Sequence, residues 1–160
     1  MSIAIRRATP DDAATIAAFN QGIATETEHK HLDDDIVGRG VAALLENGVD
    51  GRYWLAEVDG IVAGQIMVTY EWSDWRNGRV WWIQSVYVAP DYRRRGVFSA
   101  LYRHVESLVR DDPTACGIRL YMEENNQSAQ RAYEKLGMAM TPYRVMEVML
   151  SDEPGEKPHA

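Results

Sequence analysis

The stretch Arg93-Arg94-Arg95-Gly96 is the part of the sequence best suited to bind an anion. An apolar, strand-like run precedes it, and a helical repeat of apolar residues begins at Val97. The first N–H groups of a helix have no partner within the helix, and the helix dipole adds partial positive charge there. Because glycine has no Cβ, a ligand can approach the backbone closely at Gly96. The pattern predicts a phosphate or pyrophosphate site, and a solvated turn is the competing interpretation.

Asn126, Ala129 and Tyr133 form a second pattern that could bind a ligand. Asn126 and Tyr133 are seven residues apart, which places them on one face of a helix with Ala129 between them. The small residue would leave space for a ligand to lie between an amide and a phenol. The competing interpretation is that Ala129, Ala132 and Leu136 pack inward, and on spacing alone this packing role is favoured.

Taken together, the two patterns resemble the GNAT superfamily of acetyl-coenzyme-A-dependent N-acyltransferases. Residues 93–98 match the superfamily pattern Q/R-x-x-G-x-G/A except at Phe98, where the pattern has glycine or alanine. The ring of Phe98 must find room at the start of the helix, although the backbone amide is retained. The resemblance covers residues 3–150. The later pattern N-x-x-A-x-x-x-Y-x-x-x-G is matched at every spacing by Asn126, Ala129, Tyr133 and Gly137.

The resemblance implies an enzyme that transfers an acetyl group from acetyl-CoA to a primary amine, by direct attack in a ternary complex. Backbone amides of residues 94–99 would bind the pyrophosphate, and the backbone of residues 86–88 would pair with the pantetheine arm as an added strand. Asn126 would hydrogen-bond that arm. Tyr133 would protonate the departing thiolate, because a phenol with a pKa of about 10 suits an alkyl thiolate. The cofactor-binding residues implied in this way are Val86, Tyr87, Val88, Arg93, Arg94, Arg95, Gly96, Val97, Phe98, Ser99 and Asn126.

The acceptor amine would lie beside the central strand, where many members of the superfamily have a glutamate that takes the proton of the amine. This sequence has Gln84 followed by Ser85 there, and neither is a base at neutral pH. The amine must then arrive neutral, or another element must supply the base. The bases left open are Glu26, Glu28, His29, His31, Glu71 and Asp74. The predicted acceptor-binding residues are Glu28, His29, Trp72, Gln84 and Ser85.

Residues 70–79 are similar to the corresponding hairpin of the spermidine/spermine (diamine) N-acetyltransferase group. In that group the next strand carries an acidic pair that meets the polyamine, and here Gln84 and Ser85 occupy those positions. A small amine is therefore the predicted acceptor, with no preference for a polyamine. A protein or peptide amine is the alternative acceptor, and a non-catalytic coenzyme A sensor is the alternative function.

The composition excludes several other classes of protein. The chain has 160 residues, 46 % of them hydrophobic, which is enough for one domain with a core and too many for a disordered chain. A formal net charge of −7 argues against a nucleic-acid partner. Cys116 is the single cysteine, and no secretory or membrane-spanning segment is visible, so we expect a cytoplasmic protein with no membrane partner. His29 and His31, followed by Asp33, Asp34 and Asp35, fit no standard ligand spacing, so no metal is expected.

Hydrophobic periodicity and turn residues predict the element order β-α-α-β-β-β-α-β-α-β, with a polar loop at residues 25–35. Thr9 and Asp12 have the spacing of a capping box and predict the start of the first helix, and Asp59-Gly60 predicts a two-residue hairpin turn. The fold class is therefore α/β (α+β), and the resemblance implies a GNAT-like mixed, mostly antiparallel twisted sheet with helices on both faces. One domain is predicted over residues 1–150, ending in an alternating strand at residues 144–150, and residues 151–160 are predicted to be a mobile tail. Homodimers are common in the superfamily, so a second copy of the chain is a candidate partner.

Overall fold

A computed structural model describes residues 1–150 of the chain. The chain falls into two compact units, Met1–Tyr121 and Met122–Ala160, of which the second is described as far as residue 150. The first unit contains a sheet and three long helices, and the described part of the second contains one helix. The tail predicted for residues 151–160 lies outside the described residues.

The sheet of the first unit has five strands that are neighbours in chain order. The strands are β1 (Ile3–Arg7), β2 (Gly51–Val58), β3 (Ile61–Ser73), β4 (Gly78–Val88) and β5 (Ala115–Leu120). The first four pair antiparallel, and β5 lies parallel to β4. Asp59 and Gly60 make the β2–β3 turn with φ values of 50° and 84°, the positive values that a two-residue hairpin turn favours. The mixed, mostly antiparallel sheet that the resemblance implies is confirmed.

Four α-helices complete the described chain: α1 (Ala13–Glu28), α2 (Asp34–Asn47), α3 (Val97–Asp111) and α4 (Gln127–Lys135). Asp33 begins α2 by accepting a hydrogen bond from the Ile36 N–H at 3.0 Å, and Gly48 ends it with a φ of 61°. Helix α3 supplies the crossover that the parallel pair β4 and β5 requires. Helix α1 extends through Glu28, so the predicted polar loop begins four residues later than expected.

The helices of the first unit cover both faces of the sheet. Ile16 of α1 and Val41 of α2 form a buried cluster with Tyr53 and Leu55 of β2. Because side chains alternate along a strand, Trp54 points to the opposite face, where its ring lies 6.0 Å from that of His104 in α3. The burial of Leu101 and Val105 completes the α3 side of the core.

The strand predicted at residues 144–150 is not formed, and this prediction is wrong for the described chain. Residues 144–150 have neither helical nor strand structure. Their large apolar side chains are mostly exposed, from 63 % for Leu150 to 96 % for Met146. Alternation reflects side-chain preference only, whereas a strand also needs a neighbouring backbone that accepts its hydrogen bonds.

No helix within residues 1–150 is both long enough and apolar enough to cross a membrane. In the same part of the chain, no three His, Cys, Asp or Glu side chains are grouped so that they could hold a metal ion.

A partly buried ion pair fixes the start of α1 against the edge of the sheet. Arg6 donates from Nη1 and Nη2 to the Asp12 carboxylate at 2.9 Å each, and from Nε to Glu57 at 2.6 Å. The Thr9 N–H also donates to Asp12 at 2.8 Å, which is half of the capping box that the Thr9–Asp12 spacing predicts. Asp12 is only 9 % exposed. The hydrogen bonds from Arg6 lower the pKa of Asp12 to about 2.

We expect Asp12→Asn to lower the free energy of unfolding by ~2 kcal/mol at pH 7, because the carboxylate pKa lies well below its unfolded value. A depressed pKa contributes stability that is complete above pH ~4 and disappears as the pH falls through ~2. The difference between wild type and variant in urea unfolding should therefore shrink between pH 5 and pH 2.5. Asp11→Asn, at an exposed neighbouring site, is the control and should change little. Equal effects of the two substitutions would contradict this account.

Candidate functional site

Strand β4 has a neighbouring strand on each side, and one of the two, β5, stops pairing with it midway along its length. Strand β5 pairs with β4 from Arg79↔Ala115 to Ile83↔Leu120, whereas β3 stays paired with β4 as far as Val88. Beyond Ile83, the edge of β4 that faces β5 has no strand partner within residues 1–150. An unpaired strand edge can accept an extended ligand through backbone hydrogen bonds alone. Residues 86–88, which the resemblance assigns to such a contact, lie on this open edge.

A β-bulge at Gln84 marks the point where β5 leaves. Met67 pairs with Ser85 and Val68 pairs with Ile83, so Gln84 is the extra residue on β4. The Gln84 side chain donates from Nε2 to Thr69 Oγ1 at 2.9 Å. Bulges bend a strand and re-aim its side chains, and they are common beside active sites.

A cavity of about 310 Å³ lies between α1, α2 and β4, beside this bulge. Its volume is at the small end of the range for ligand pockets. Two polar side chains of α1 and two of β4 face it, and these are Asn20, Glu28, Gln84 and Ser85. The remaining lining residues are aliphatic, and these are Ile23, Ala24, Leu32, Val37 and Val41. The cavity can hold a small molecule that has an aliphatic body and a few polar groups.

A hydrogen-bonded network forms the polar wall of the cavity. Gln65 Nε2 donates to Asn20 Oδ1 at 2.8 Å and to Ser85 Oγ at 2.9 Å. Ser85 Oγ donates to Asn20 Oδ1 at 3.0 Å, and Asn20 Nδ2 donates to the Tyr53 hydroxyl at 3.3 Å. Gln65 is fully buried. The burial of Tyr53 raises the pKa of its phenol, so this group stays neutral. Sequence reasoning missed Asn20 and Gln65, although an amide inside the apolar run of β3 was an available signal.

Arg93 is held by the protein itself. Its Nη2 lies 2.8 Å and 3.0 Å from the two carboxylate oxygens of Glu26 in α1, and its Nε donates to the Val88 carbonyl at 2.9 Å. The guanidinium also lies over the ring of Tyr87, 5.5 Å from the ring centre. The resemblance implies that Arg93 binds the cofactor, and in the structure its side chain has these protein partners. The pair ties α1 to the end of β4.

The turn after β4 contains two residues in the left-handed backbone conformation. Arg94 and Gly96 have φ values of 62° and 83°, and turns that combine left-handed and right-handed residues can direct successive N–H groups to one side. An added Cβ at Gly96 would meet nothing within 4 Å, so the backbone there faces open space. Phe98 finds room along the helix, with its ring 6.3 Å from that of Tyr102. The side chains of Arg94 and Arg95 are exposed at the same turn.

Asn126 and Tyr133 lie in the second compact unit, on α4. Asn126 is the N-cap residue of the helix, and its Oδ1 accepts a hydrogen bond from the Ala129 N–H at 3.0 Å. Its side-chain NH₂ group is then the part that a ligand could use. Tyr133 is half-buried, and burial raises the pKa of its phenol. Gly137 follows the helix with a φ of 93°.

The structure brings only some of the predicted acceptor residues together. Glu28, Gln84 and Ser85 line the cavity, whereas His29 and Trp72 are not among its lining residues. His29 ends α1 with an exposed side chain, and Trp72 is 60 % exposed near the far end of the β3–β4 hairpin.

Four of the bases left open by the sequence have other partners. Glu28 Oε2 lies 3.5 Å from Lys30 Nζ, and His31 Nε2 lies 3.5 Å from Asp34 Oδ1. Glu26 is paired with Arg93, and Glu71 accepts hydrogen bonds from Trp82 Nε1 at 2.7 Å and from Arg119 at 3.2 Å. Of the six residues left open, only Glu28 lines the cavity.

Comparison with known proteins finds the family that the two sequence patterns resemble. Residues 16–138 match the family described as acetyltransferase (GNAT) family. A possible acetyltransferase from Clostridium difficile 630 is 45 % identical, with a TM-score of 0.88 over 94 % of this chain and 99 % of that chain. Ribosomal-protein-alanine N-acetyltransferase from Brucella melitensis biovar Abortus 2308 is 16 % identical, with a TM-score of 0.74 over 94 % of this chain and 100 % of that chain, and so shares the fold. Comparison with curated proteins found no match.

Gly22 is the position at which α1 makes room for the Tyr87 ring. A Cβ added there would lie 2.8 Å from the ring and hydroxyl of Tyr87, which contacts Phe19 and Arg93 on its other sides. A Cβ at Gly38 in α2 would meet nothing within 4 Å. We expect Gly38→Ala to stabilise the protein by up to ~1 kcal/mol, through helix propensity alone.

We expect Gly22→Ala to be less stable than Gly38→Ala by ~1–3 kcal/mol in urea unfolding, because the Tyr87 ring must move. Both substitutions gain the same helix propensity, so their difference isolates the contact with Tyr87. Equal stabilisation by the two would show that the ring can yield without cost.

Proposed function

The chain belongs to the acetyltransferase (GNAT) family, and from this premise we propose that it transfers an acetyl group from acetyl-CoA to the primary amine of a small aliphatic molecule. The observation that carries the proposal is the aliphatic cavity of about 310 Å³ beside the open edge of β4. In the reaction, the amine lone pair forms a C–N bond with the acetyl carbon and the C–S bond breaks. The amine loses one proton, the sulfur gains one, and the products are an N-alkylacetamide and free coenzyme A.

The residues at the end of β4 fit acetyl-CoA. Backbone N–H groups from Arg94 to the first turn of α3 would hold the pyrophosphate, with the exposed guanidinium groups of Arg94 and Arg95 adding charge. The open edge of residues 86–88 would pair with the extended amide arm. Acetyl-CoA supplies the activated thioester. The Arg93 side chain is proposed as a brace for this region, because Glu26 and the Val88 carbonyl already occupy it.

The lining of the cavity supports a small aliphatic amine. Its apolar side chains can bury the hydrocarbon part of such an amine. An acceptor of this size does not require a long charged groove. Glu28 is the single carboxylate in this lining, and a polyamine has no second carboxylate there. The pair that Glu28 makes with Lys30 at 3.5 Å is exposed to solvent, so the carboxylate can still attract one cationic group. Glu28 attracts the protonated amine by its charge, and the amine then loses a proton to water at the mouth of the cavity.

Tyr133 is the proposed acid. A phenol whose pKa is raised by burial remains protonated at neutral pH and can give its proton to the departing thiolate of coenzyme A. The amide of Asn126, the N-cap of the same helix, would hydrogen-bond the cofactor arm through its NH₂ group. These two roles rest on the motif that the residues share with the family.

The proposal is tested by measuring free thiol release from acetyl-CoA with a panel of amines, and by mass spectrometry of the acetylated products. The panel contains aliphatic monoamines, a polyamine and a peptide with a free N-terminus. We expect turnover with monoamines to exceed that with the other two. Preference for the peptide would overturn the proposed acceptor class. Binding of acetyl-CoA without turnover of any amine would favour a coenzyme A sensor.

Glu28→Gln is expected to raise the KM for the amine about twofold to fivefold while kcat and the KM for acetyl-CoA stay the same. The carboxylate is exposed at the mouth, so its attraction for the ammonium group is moderate and should weaken in high salt. Glu46→Gln is the matched control, because it removes an exposed carboxylate near the C-terminal end of α2. Equal KM values for wild type and Glu28→Gln at low salt would remove Glu28 from the acceptor site.

A further inference from the structure

We propose that Ser85 accepts a hydrogen bond from the attacking amine, and that Asn20 and Gln65 are positioning residues that fix the direction of its hydroxyl proton. The inference rests on the proposed function, because it assigns roles in amine transfer to the polar wall of the acceptor cavity. Neither Asn20 nor Gln65 belongs to the motifs that the sequence shares with the family.

The hydrogen bonds around Ser85 leave its hydroxyl oxygen able to accept one more hydrogen bond. Ser85 Oγ donates its only proton to Asn20 Oδ1 at 3.0 Å and accepts a hydrogen bond from Gln65 Nε2 at 2.9 Å. A hydroxyl oxygen can accept two hydrogen bonds, so one acceptor position remains. Because Ser85 lines the cavity, that position is available to a ligand bound there.

The direction of the Ser85 proton is fixed by its surroundings. Turning the proton away from Asn20 Oδ1 would leave two oxygen atoms facing each other at 3.0 Å with no proton between them. Asn20 is held in this orientation because its Oδ1 also accepts from Gln65 and its Nδ2 donates to Tyr53. Gln65 is fully buried, so water cannot replace the hydrogen bonds that it donates.

The network is not built for stability alone. Gln65 Oε1 is buried and has no hydrogen-bond partner within the described chain, and an unsatisfied buried carbonyl costs folding free energy. An aliphatic residue at this position of β3 would avoid that cost. A buried amide retained in this way is consistent with a requirement set by the cavity.

The fixed acceptor matters because of the chemistry of an amine. A primary amine has two N–H donors and one lone pair, and only the lone pair attacks the acetyl carbon. An acceptor such as Ser85 Oγ holds an N–H and leaves the lone pair available. A serine proton that could turn toward the cavity would instead donate to the lone pair and hold the amine in an unreactive state. The network therefore favours the reactive orientation of the amine.

Ser85→Ala removes the acceptor, and we expect kcat/KM for the amine to fall about threefold to tenfold, mainly through a higher KM. The dissociation constant of acetyl-CoA, measured by calorimetry, should not change. Ser107→Ala, at an exposed position on α3, is the control and should behave as wild type. If Ser85→Ala does not fold, Ser85→Cys takes its place, since a thiol retains the packing and is a weak acceptor.

Asn20→Ala releases the serine proton, and we expect kcat to fall without a rise in the KM for the amine. A purely structural role for Asn20 would not separate these two constants. The activity of the double variant Asn20→Ala/Ser85→Ala should be close to that of Ser85→Ala alone, and higher than the product of the two single effects predicts, because Asn20 acts through Ser85. Additive losses would overturn the positioning role.

The outcomes for this inference and for the proposed function are distinct. Turnover by Ser85→Ala within twofold of wild type would overturn the role of Ser85 and leave amine acetylation intact. An equal loss of acetyl-CoA affinity in Ser85→Ala would also overturn it, because the serine would then serve the cofactor. Absence of turnover by wild type with every amine would overturn the proposed function, and this inference with it.

Discussion

The loss of one neighbour by β4 halfway along its length is the constraint on which the site depends. Up to Ile83 the strand is hydrogen-bonded on both sides, and beyond it only β3 remains as a partner within the described residues. Backbone groups cannot stay unpaired without cost, so an open edge of this kind is stable where water or a ligand can satisfy it. The bulge at Gln84 occurs at the same place and turns Ser85 toward α1. The edge that we propose for the cofactor and the cavity that we propose for the acceptor thus meet at one irregularity in the sheet.

Helix α1 connects the separate parts of the site. Asn20 joins the buried network, Gly22 makes room for Tyr87, Glu26 holds Arg93, and Glu28 faces the cavity. These four residues are spaced so that a single helix contacts both the acceptor side and the end of β4. The helix is itself fixed at its start by the buried Asp12 carboxylate. Movement of α1 would therefore change both the cavity that we propose for the acceptor and the end of β4 that we propose for the cofactor.

Local signals in the sequence were enough to predict most of the elements. Thr9 and Asp12 predicted the start of the first helix, and Asp59 with Gly60 predicted the hairpin, because caps and turns depend on residues close in sequence. Features that depend on distant residues were not predicted. The ion pair of Arg93 joins residues 67 positions apart in the chain, and the Asn20–Gln65–Ser85 network joins three separate elements. The strand expected at residues 144–150 failed for the same reason, since its pattern could not specify a neighbour.

The most direct test of the account is thermal unfolding with and without saturating acetyl-CoA, for wild type and for Gly96→Ala. A ligand held only by the folded protein adds about 2.7 kcal/mol at 100 times its Kd, which should raise the Tm of wild type by roughly 5 °C. The variant should show a smaller rise, because alanine disfavours the φ of 83° that the turn requires. No rise for wild type at millimolar acetyl-CoA would contradict the claim that the open edge of β4 and the glycine turn form a cofactor site.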